Sequence, residues 1–213
     1  MFILKLIPSK VLSSQARKPT GLIGRYVMTK IFNEGNADLN SFVMETLELK
    51  SSDKVLEIGF GTGKLINEMA KITTGGVVDG IDFSEEMLRQ AGRVNKYHIS
   101  NGKVRLQKGE CKKLPFENDT FDKLCSTNTL YFWKNPDKYF IEMFRVVKPG
   151  GKIAIGFRDD KQMSNLNLSK DIFTTYSTDE VVILLSNAGF TGAHVAKKEG
   201  KPFLSYCAVG TKA

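Results

Sequence analysis

The chain has 213 residues, 41% of them apolar, which suffices for one domain with a substantial core and would be cramped for two. No run of about 18 uncharged apolar residues occurs, so no membrane-spanning helix is expected. The net charge of +8 sits at one end: residues 1–33 hold Lys5, Lys10, Arg17, Lys18, Arg25 and Lys30 with no acid, whereas the other 180 carry 25 bases against 23 acids.

The opening Met1–Ile7 is short, has no basic region before it and is broken by Lys5, so a secretory signal is not expected. The basic arm that follows suits an anionic substrate, a membrane surface or RNA, and equally a solvated face; its composition also fits an organelle-targeting peptide, the least favoured of these readings. Residues 36–49 place Leu39, Phe42, Val43, Thr46 and Leu47 near helical spacing and predict an amphipathic helix. Strand and helix then alternate. The pattern predicts strand 54–58, helix 64–72, strand 77–81, helix 84–97 and strand 103–107. After a long loop come strand 121–126, helix 136–147 and strand 152–157. Strands alternating with helices imply βαβ units on a mostly parallel sheet. Residues 158–176 are polar and irregular; helix 177–187 and two strands, 190–197 and 202–210, joined by a short connection that fits an antiparallel hairpin, complete the chain. Cys111, Cys125 and Cys207 have no CxxC spacing and signal neither a disulfide framework nor a zinc site, and a reducing cytoplasm is the expected setting.

The chemistry concentrates after the first strand, in Lys54-Val-Leu-Glu-Ile-Gly-Phe-Gly-Thr-Gly-Lys64. Gly59, Gly61 and Gly63 lack Cβ atoms, so the backbone can approach a ligand closely. A glycine loop after a strand serves dinucleotides, nucleotides and sulfonium cofactors alike. Here the spacing discriminates. A dinucleotide fingerprint counted from Gly59 meets Lys64 at its third glycine and counted from Gly61 meets Ile66. The phosphate loop of nucleotide-binding proteins fails as well, because Leu65 follows Gly63-Lys64 where Ser or Thr should stand. Asp82, 19 residues beyond Gly63 at the end of the next strand, occupies the position at which open α/β sheets set an acid against ribose hydroxyls.

Four motifs in order, Val55-Leu-Glu-Ile-Gly-Phe-Gly-Thr-Gly63, Gly80-Ile-Asp-Phe-Ser-Glu-Glu-Met-Leu88, the segment 109–122 and Val147-Lys-Pro-Gly-Gly151, resemble the class I S-adenosylmethionine-dependent methyltransferases. The resemblance is greatest to the small-molecule branch that includes the ubiquinone and menaquinone C-methyltransferases. It covers about residues 51–157. It implies a Rossmann-like α/β fold: a seven-stranded, mostly parallel sheet with an antiparallel last strand and helices on both faces. Residues 1–50 would then be a basic arm and helix capping the cofactor and substrate, and 51–213 the methyltransferase domain of a single-domain protein.

The same resemblance implies that S-adenosylmethionine lies on Gly59, Phe60, Gly61, Thr62 and Gly63 with Glu57 behind them. Asp82 would hold the ribose, Phe83 would lie against the adenine, Glu110 and Cys111 would reach the adenine edge, although the family more often has Asp and Ala at those two positions, and Asn128 would complete the cofactor contacts. No metal is called for. The acceptor is expected above strand 121–126, where Asn128, Leu130, Tyr131, Phe132 and Trp133 follow. Asn128 is not followed by Pro-Pro-aromatic, which argues against the exocyclic-amine DNA methyltransferases. Tyr131 is the candidate for orienting an acceptor or serving as a base, with plain aromatic packing as the alternative. Arg25, Tyr26 and Trp133 are the candidate substrate contacts, because variable N-terminal and post-fifth-strand segments cover the substrate in similar proteins. An RNA or protein acceptor, supported by the basic arm, and a cofactor-binding module without transferase activity remain alternatives.

Overall fold

The structure, a computed structural model, describes residues 8–21, 23–164, 166, 168–200 and 203–213. Its centre is strand β1 (Lys54–Ile58), whose Val55 and Leu56 are fully buried. Neighbours on both sides and helices on both faces leave such a strand little solvated surface, which is why Val55, Leu56 and Ile58 are apolar. Around it run β2 (Val77–Asp82), β3 (Val104–Lys108), β4 (Phe121–Thr127), β5 (Val147–Phe157), β6 (Thr191–Lys198) and β7 (Ser205–Thr211). They form one seven-stranded sheet in the order β3-β2-β1-β4-β5-β7-β6.

The pairs β1–β2, β1–β4, β2–β3 and β4–β5 are parallel, while β7 is antiparallel to both β5 and β6. The direction in which the chain winds reverses between β1 and β4. That switch opens a crevice beyond the carboxyl ends of the strands, the place where open α/β sheets bind ligands.

Residues adjacent along a strand divide between two cores. Val55, Cys125 and Ala154 join Phe42, Val43, Ile66 and Met87 on one face, where helices α3 (Ala37–Leu47), α4 (Lys64–Ile72) and α5 (Glu85–Val94) pack. Leu56, Leu124 and Ile153 join Phe140, Met143, Val181 and Leu185 on the other, under α7 (Pro136–Val146) and α9 (Thr178–Asn187). The period-two alternation of a strand sends successive side chains to opposite faces, so one apolar run serves both cores.

Three elements differ from the sequence reading. The helix expected over residues 84–97 breaks at Asn95, giving α5 and a separate short α6 (Lys96–Ser100). Asn95 is fully buried, and its side-chain amide donates to the carbonyls of Gly63 and Ala91 at 2.9 and 3.0 Å. Asparagine competes for backbone in this way and interrupts helices; here the interruption ties the glycine loop to α5. Strand β5 begins at Val147, earlier than expected. Val147 pairs with Phe121, and the Pro-Gly-Gly signal that reads as a turn is absorbed as a register shift, with Gly150 at φ 77°. The basic arm is largely helical: α1 (Ser9–Arg17), a π-helical turn (Ile23–Met28) and α2 (Thr29–Gly35) precede α3.

These N-terminal elements are anchored across the carboxyl edge of the sheet. Ser84 Oγ donates to the Pro19 carbonyl at 3.1 Å, Thr29 Oγ1 donates to Gln90 Oε1 at 2.6 Å, and Ser13 Oγ accepts from the Ser169 N–H at 3.0 Å. The last contact joins α1 to the irregular segment after β5, which contains one short helix, α8 (Asp160–Ser164). No helix among the described residues is long and apolar enough to cross a membrane.

Candidate active site

A cavity of about 900 Å³ occupies the crevice, bounded by the ends of β1, β2, β4 and β5, by α1–α3, and by the segment around α8. Its floor is the glycine loop. The three glycines all have positive φ, 73°, 52° and 77°, a region that strains a side chain. Their surroundings differ. A Cβ on Gly59 would overlap Thr129, and one on Gly63 would stand 2.6 Å from Ala91 Cβ. One on Gly61 would meet nothing nearer than Phe32 at 3.9 Å, because it would point into the cavity. Gly61 therefore provides the bare backbone for a ligand, while Gly63 lies outside the cavity lining and packs on α5.

Two carboxylates are buried beside this loop. Asp82 accepts the Gly61 N–H at 2.9 Å and the Ser84 N–H at 2.8 Å. Burial nevertheless outweighs these bonds and raises its pKa from the usual 3.8 to about 6. Glu57 is raised further, first by burial and then by the nearby Asp82. Its Oε2 has no hydrogen-bond partner among the described residues. A buried carboxylate oxygen without a partner is costly. Two acids facing one cavity therefore describe a receptor for a cation with hydroxyl donors. An amino acid ammonium, a sulfonium and a ribose meet that description, so the residues fit S-adenosylmethionine.

Other candidates are distributed as follows. Phe60, Thr62, Phe83, Glu110 and Cys111 line the cavity. Glu110 is at the rim, paired with Lys112 at 2.8 Å, and that hydrogen bond holds its pKa below the usual value. Cys111 is buried, and burial pushes its thiol up, which suits a small apolar side chain rather than a nucleophile. Asn128 adopts the left-handed conformation, φ 54°, and donates from Nδ2 to Asn36 Oδ1 at 2.8 Å, bracing the end of β4 against the α2–α3 junction.

Tyr131 is buried and lines the cavity, but its hydroxyl accepts from the Arg158 N–H and donates to Asn128 Oδ1 at 3.1 Å. Burial also raises its pKa well above the usual tyrosine value. Such a hydroxyl is a poor proton acceptor for a substrate and a good brace between the ends of β4 and β5. Trp133 lines the cavity and stacks on Tyr139 with centroids 5.3 Å apart. Tyr26 is 65% exposed and outside the lining. The side chain of Arg25 lies outside the described residues.

Sequence reasoning missed three further residues of the cavity lining: Thr127, Arg158 and Gln162. For Arg158 a signal was present, since a cation directly after a buried apolar strand marks the carboxyl edge where ligands bind. Gln162 and Thr127 carried none, because their importance lies in hydrogen bonds left unmade. Among the described residues no cluster of His, Cys, Asp and Glu is arranged to hold a metal. His98 and His194 are not in the cavity lining.

Comparison with known proteins gives a consistent result. A family model described as a methyltransferase domain matches residues 56–155. An uncharacterized methyltransferase of Bacillus subtilis, YdaC, is 30% identical over 191 residues, covering 90% of this chain and 98% of that protein. The ubiquinone/menaquinone biosynthesis C-methyltransferase UbiE of Geobacter sp. (strain M21) is 34% identical over 116 residues, 54% of this chain and 49% of the relative. This chain thus matches only about half the length of that relative. Among solved structures, an S-adenosylmethionine-dependent methyltransferase from Aquifex aeolicus superposes with a TM-score of 0.66 at 24% identity, covering 86% of this chain and 96% of that one. A chain from the complex of the Haloferax volcanii Trm112 methyltransferase activator with a methyltransferase gives a TM-score of 0.72 at 16% identity, covering 96% and 99%. Likenesses at these identities concern the fold.

Proposed function

Because the chain belongs to the class I S-adenosylmethionine-dependent methyltransferases, we propose that it methylates a small molecule enclosed between the N-terminal helices and the segment after β5. S-adenosylmethionine supplies a methyl group already activated on sulfonium. The protein's own task is to align a nucleophile and exclude water. In this reading Glu57 takes the ammonium with its unpartnered oxygen, and Gly59 to Thr62 lie under the amino acid portion. Asp82 takes the ribose hydroxyls, Phe83 flanks the adenine, and Glu110 and Cys111 stand at the adenine edge. Tyr131 and Asn128 act as positioning residues that hold the ends of β4 and β5 at a constant separation. Residues 1–50 act as the cap over a domain formed by 51–213.

Closure is the observation that carries the acceptor class. Arg17 and Pro19 near the end of α1 line the same cavity as Met163 and Phe173 from the segment after β5, and Ser13 is bonded to Ser169 above it. A volume of about 900 Å³ under such a cover is within the range of roughly 300–1,000 Å³ typical of small-ligand sites. It suits a cofactor and a modest acceptor better than a nucleic-acid strand. The quinone C-methyltransferases among the relatives also act on small molecules, as their names state. The test is transfer from methyl-labelled S-adenosylmethionine into a fractionated cell extract. Label is expected in the low-molecular-weight fraction. Label confined to RNA or protein would overturn the acceptor class, and label in no fraction would favour a cofactor-binding module.

The electrostatics add a pH dependence. Ribose hydroxyls need an ionised acceptor, and Asp82 ionises with a pKa of about 6. The contribution of Asp82 to S-adenosylhomocysteine affinity is therefore expected to be complete above neutrality and to fall on acidification through pH 6, by up to about tenfold per unit below it. For stability the sign is opposite. A carboxyl raised in the fold favours the folded state fully below the unfolded value of 3.8 and loses that contribution as pH rises through about 6. Calorimetric titrations between pH 5 and pH 8 separate the two, and an affinity that does not change across that range would contradict the role of Asp82.

A further inference from the structure

The cavity takes its acids from one region only, while cations line it more widely, Lys64 on α4 with Glu68 and Lys112 paired with Glu110 among them. Its acids, Glu57, Glu68, Asp82 and Glu110, come from the ends of β1, β2 and β3 and from α4, the cofactor side. The far end, formed by the close of β5 and by α8, contributes Arg158 and no acid.

Arg158 is only 8% exposed. Its Nη1 donates to the Leu204 carbonyl and to Ser205 Oγ, and its guanidinium lies over the Phe203 ring at 5.6 Å. Among the described residues no carboxylate forms an ion pair with it. The acid next to it in sequence, Asp159, is spent elsewhere: it accepts the Gln162 N–H at 3.0 Å and bonds the Tyr206 hydroxyl. Asp38, exposed on α3, acts on Arg158 only at longer range. A buried, uncompensated guanidinium is expensive, and proteins retain one where a ligand completes the pair.

A second observation points to the same ligand. Gln162 lines the cavity, and its side-chain amide is buried with neither Nε2 nor Oε1 hydrogen-bonded among the described residues. Thr127 Oγ1, at the end of β4, is likewise buried without a partner. Arg158 and Gln162, with Thr127 paired to Gly156 on the neighbouring strand, thus belong to a cavity lining that also includes the apolar side chains of Phe132, Trp133, Met163, Leu168 and Phe173.

Resting on the small-molecule reading above, we propose that the methyl acceptor carries a carboxylate on an apolar, ring-bearing body, with Arg158 and Gln162 as its carboxylate receptor. The guanidinium matches a carboxylate in charge and in planar, two-donor geometry. The Gln162 amide N–H₂ supplies a further donor to it, and Thr127 Oγ1 remains for a hydroxyl or amine elsewhere on the acceptor.

The experiment uses full-length protein saturated with S-adenosylhomocysteine, so that the cofactor end is filled. Arylalkanoates and arenecarboxylates are titrated against the primary amides of the same acids by calorimetry. The best acid is expected to bind at least about tenfold more tightly than its amide, the size of one charge-assisted hydrogen bond. Arg158→Met is expected to bring that ratio near one, and Gln162→Leu, which keeps the shape, to reduce it severalfold. S-adenosylhomocysteine affinity should stay within about twofold of wild type in both, because they lie at the other end. Acids that bind no better than their amides, acids that do not bind at all, aryl phosphates that bind more tightly than the acids, or a preference that Gln162→Leu leaves undiminished would each overturn the proposal. Should Arg158→Met not fold, the Gln162 variant decides alone. Failure of wild type to bind S-adenosylhomocysteine would instead remove the cofactor assignment beneath it, which keeps the two failures distinct.

Discussion

Replacing Asp82 with alanine is expected to weaken S-adenosylhomocysteine binding by about 100-fold or more, with no saturation at concentrations that saturate wild type. The magnitude follows from two bonds between ribose hydroxyls and a buried carboxylate, each contributing about 1.5–3 kcal/mol when one partner is charged. Truncation acts on the protein as well, since the N–H groups of Gly61 and Ser84 lose the acceptors they now have at 2.9 and 2.8 Å. The glycine loop is thereby loosened where the ligand lies. Asp82→Asn separates the contributions, because an amide oxygen still accepts one of these bonds but carries no charge and does not titrate. The asparagine variant should bind with intermediate affinity and show no inflection near pH 6. Calorimetry on both variants, with melting curves to verify folding, checks this; equal affinity for wild type and Asp82→Ala would contradict the ribose assignment.

Gly59→Ala should produce the largest loss of stability at the site, about 2–5 kcal/mol. Two costs combine. The backbone holds φ 73°, where a residue with a Cβ is strained by about 1–3 kcal/mol. The new methyl would also overlap Thr129 Cγ2, and overpacking of this kind costs a similar amount. For a chain of 213 residues the melting temperature should fall by on the order of 10 °C. A second substitution, Thr129→Ser, removes the methyl but keeps the hydroxyl that bonds Ser126 Oγ. It should restore the packing part of the loss and leave the φ part. Denaturant titrations of the two single variants and the double variant measure this directly. Additive losses, with no recovery in the double variant, would show that Thr129 is not what fills the space beside Gly59.

The strands of the sheet were legible in the sequence because each strand reads locally. Val55-Leu-Glu-Ile needs only its own apolar residues to declare a buried strand, and the odd spacing of Gly59, Gly61 and Gly63 declares the loop. Asp82 was legible for the same reason, as an acid at a strand end a known distance from that loop. Elements whose form depends on distant partners were not. The break at Asn95 comes from its bonds to Gly63 and Ala91, and the early start of β5 comes from pairing of Val147 with Phe121. The helical arm was hidden behind its charge, which drew attention to possible partners rather than to Ser13 and Thr29, the residues that anchor it.

In the site, the cofactor half could be read from motif spacing, whereas the acceptor half could not. Arg158, Gln162 and Thr127 come from a strand end, a short helix and another strand end, and only the folded chain brings them to one cavity. Tyr131 shows the converse. Its position allowed either a group that acts on the acceptor or a packing aromatic, and the bonds of its hydroxyl to Arg158 and Asn128, which only tertiary structure reveals, make it a brace.

A crystal structure of the protein with S-adenosylhomocysteine tests the central claim most directly, that the two buried acids beside the glycine loop define the cofactor end of the cavity and leave the Arg158 end for the acceptor. The account predicts ribose hydroxyls bonded to Asp82, the ammonium bonded to Glu57, backbone of Gly61 against the ligand, and free volume between the homocysteine sulfur and Arg158. A ligand seated against Arg158 and Gln162, with Glu57 and Asp82 untouched, would contradict it.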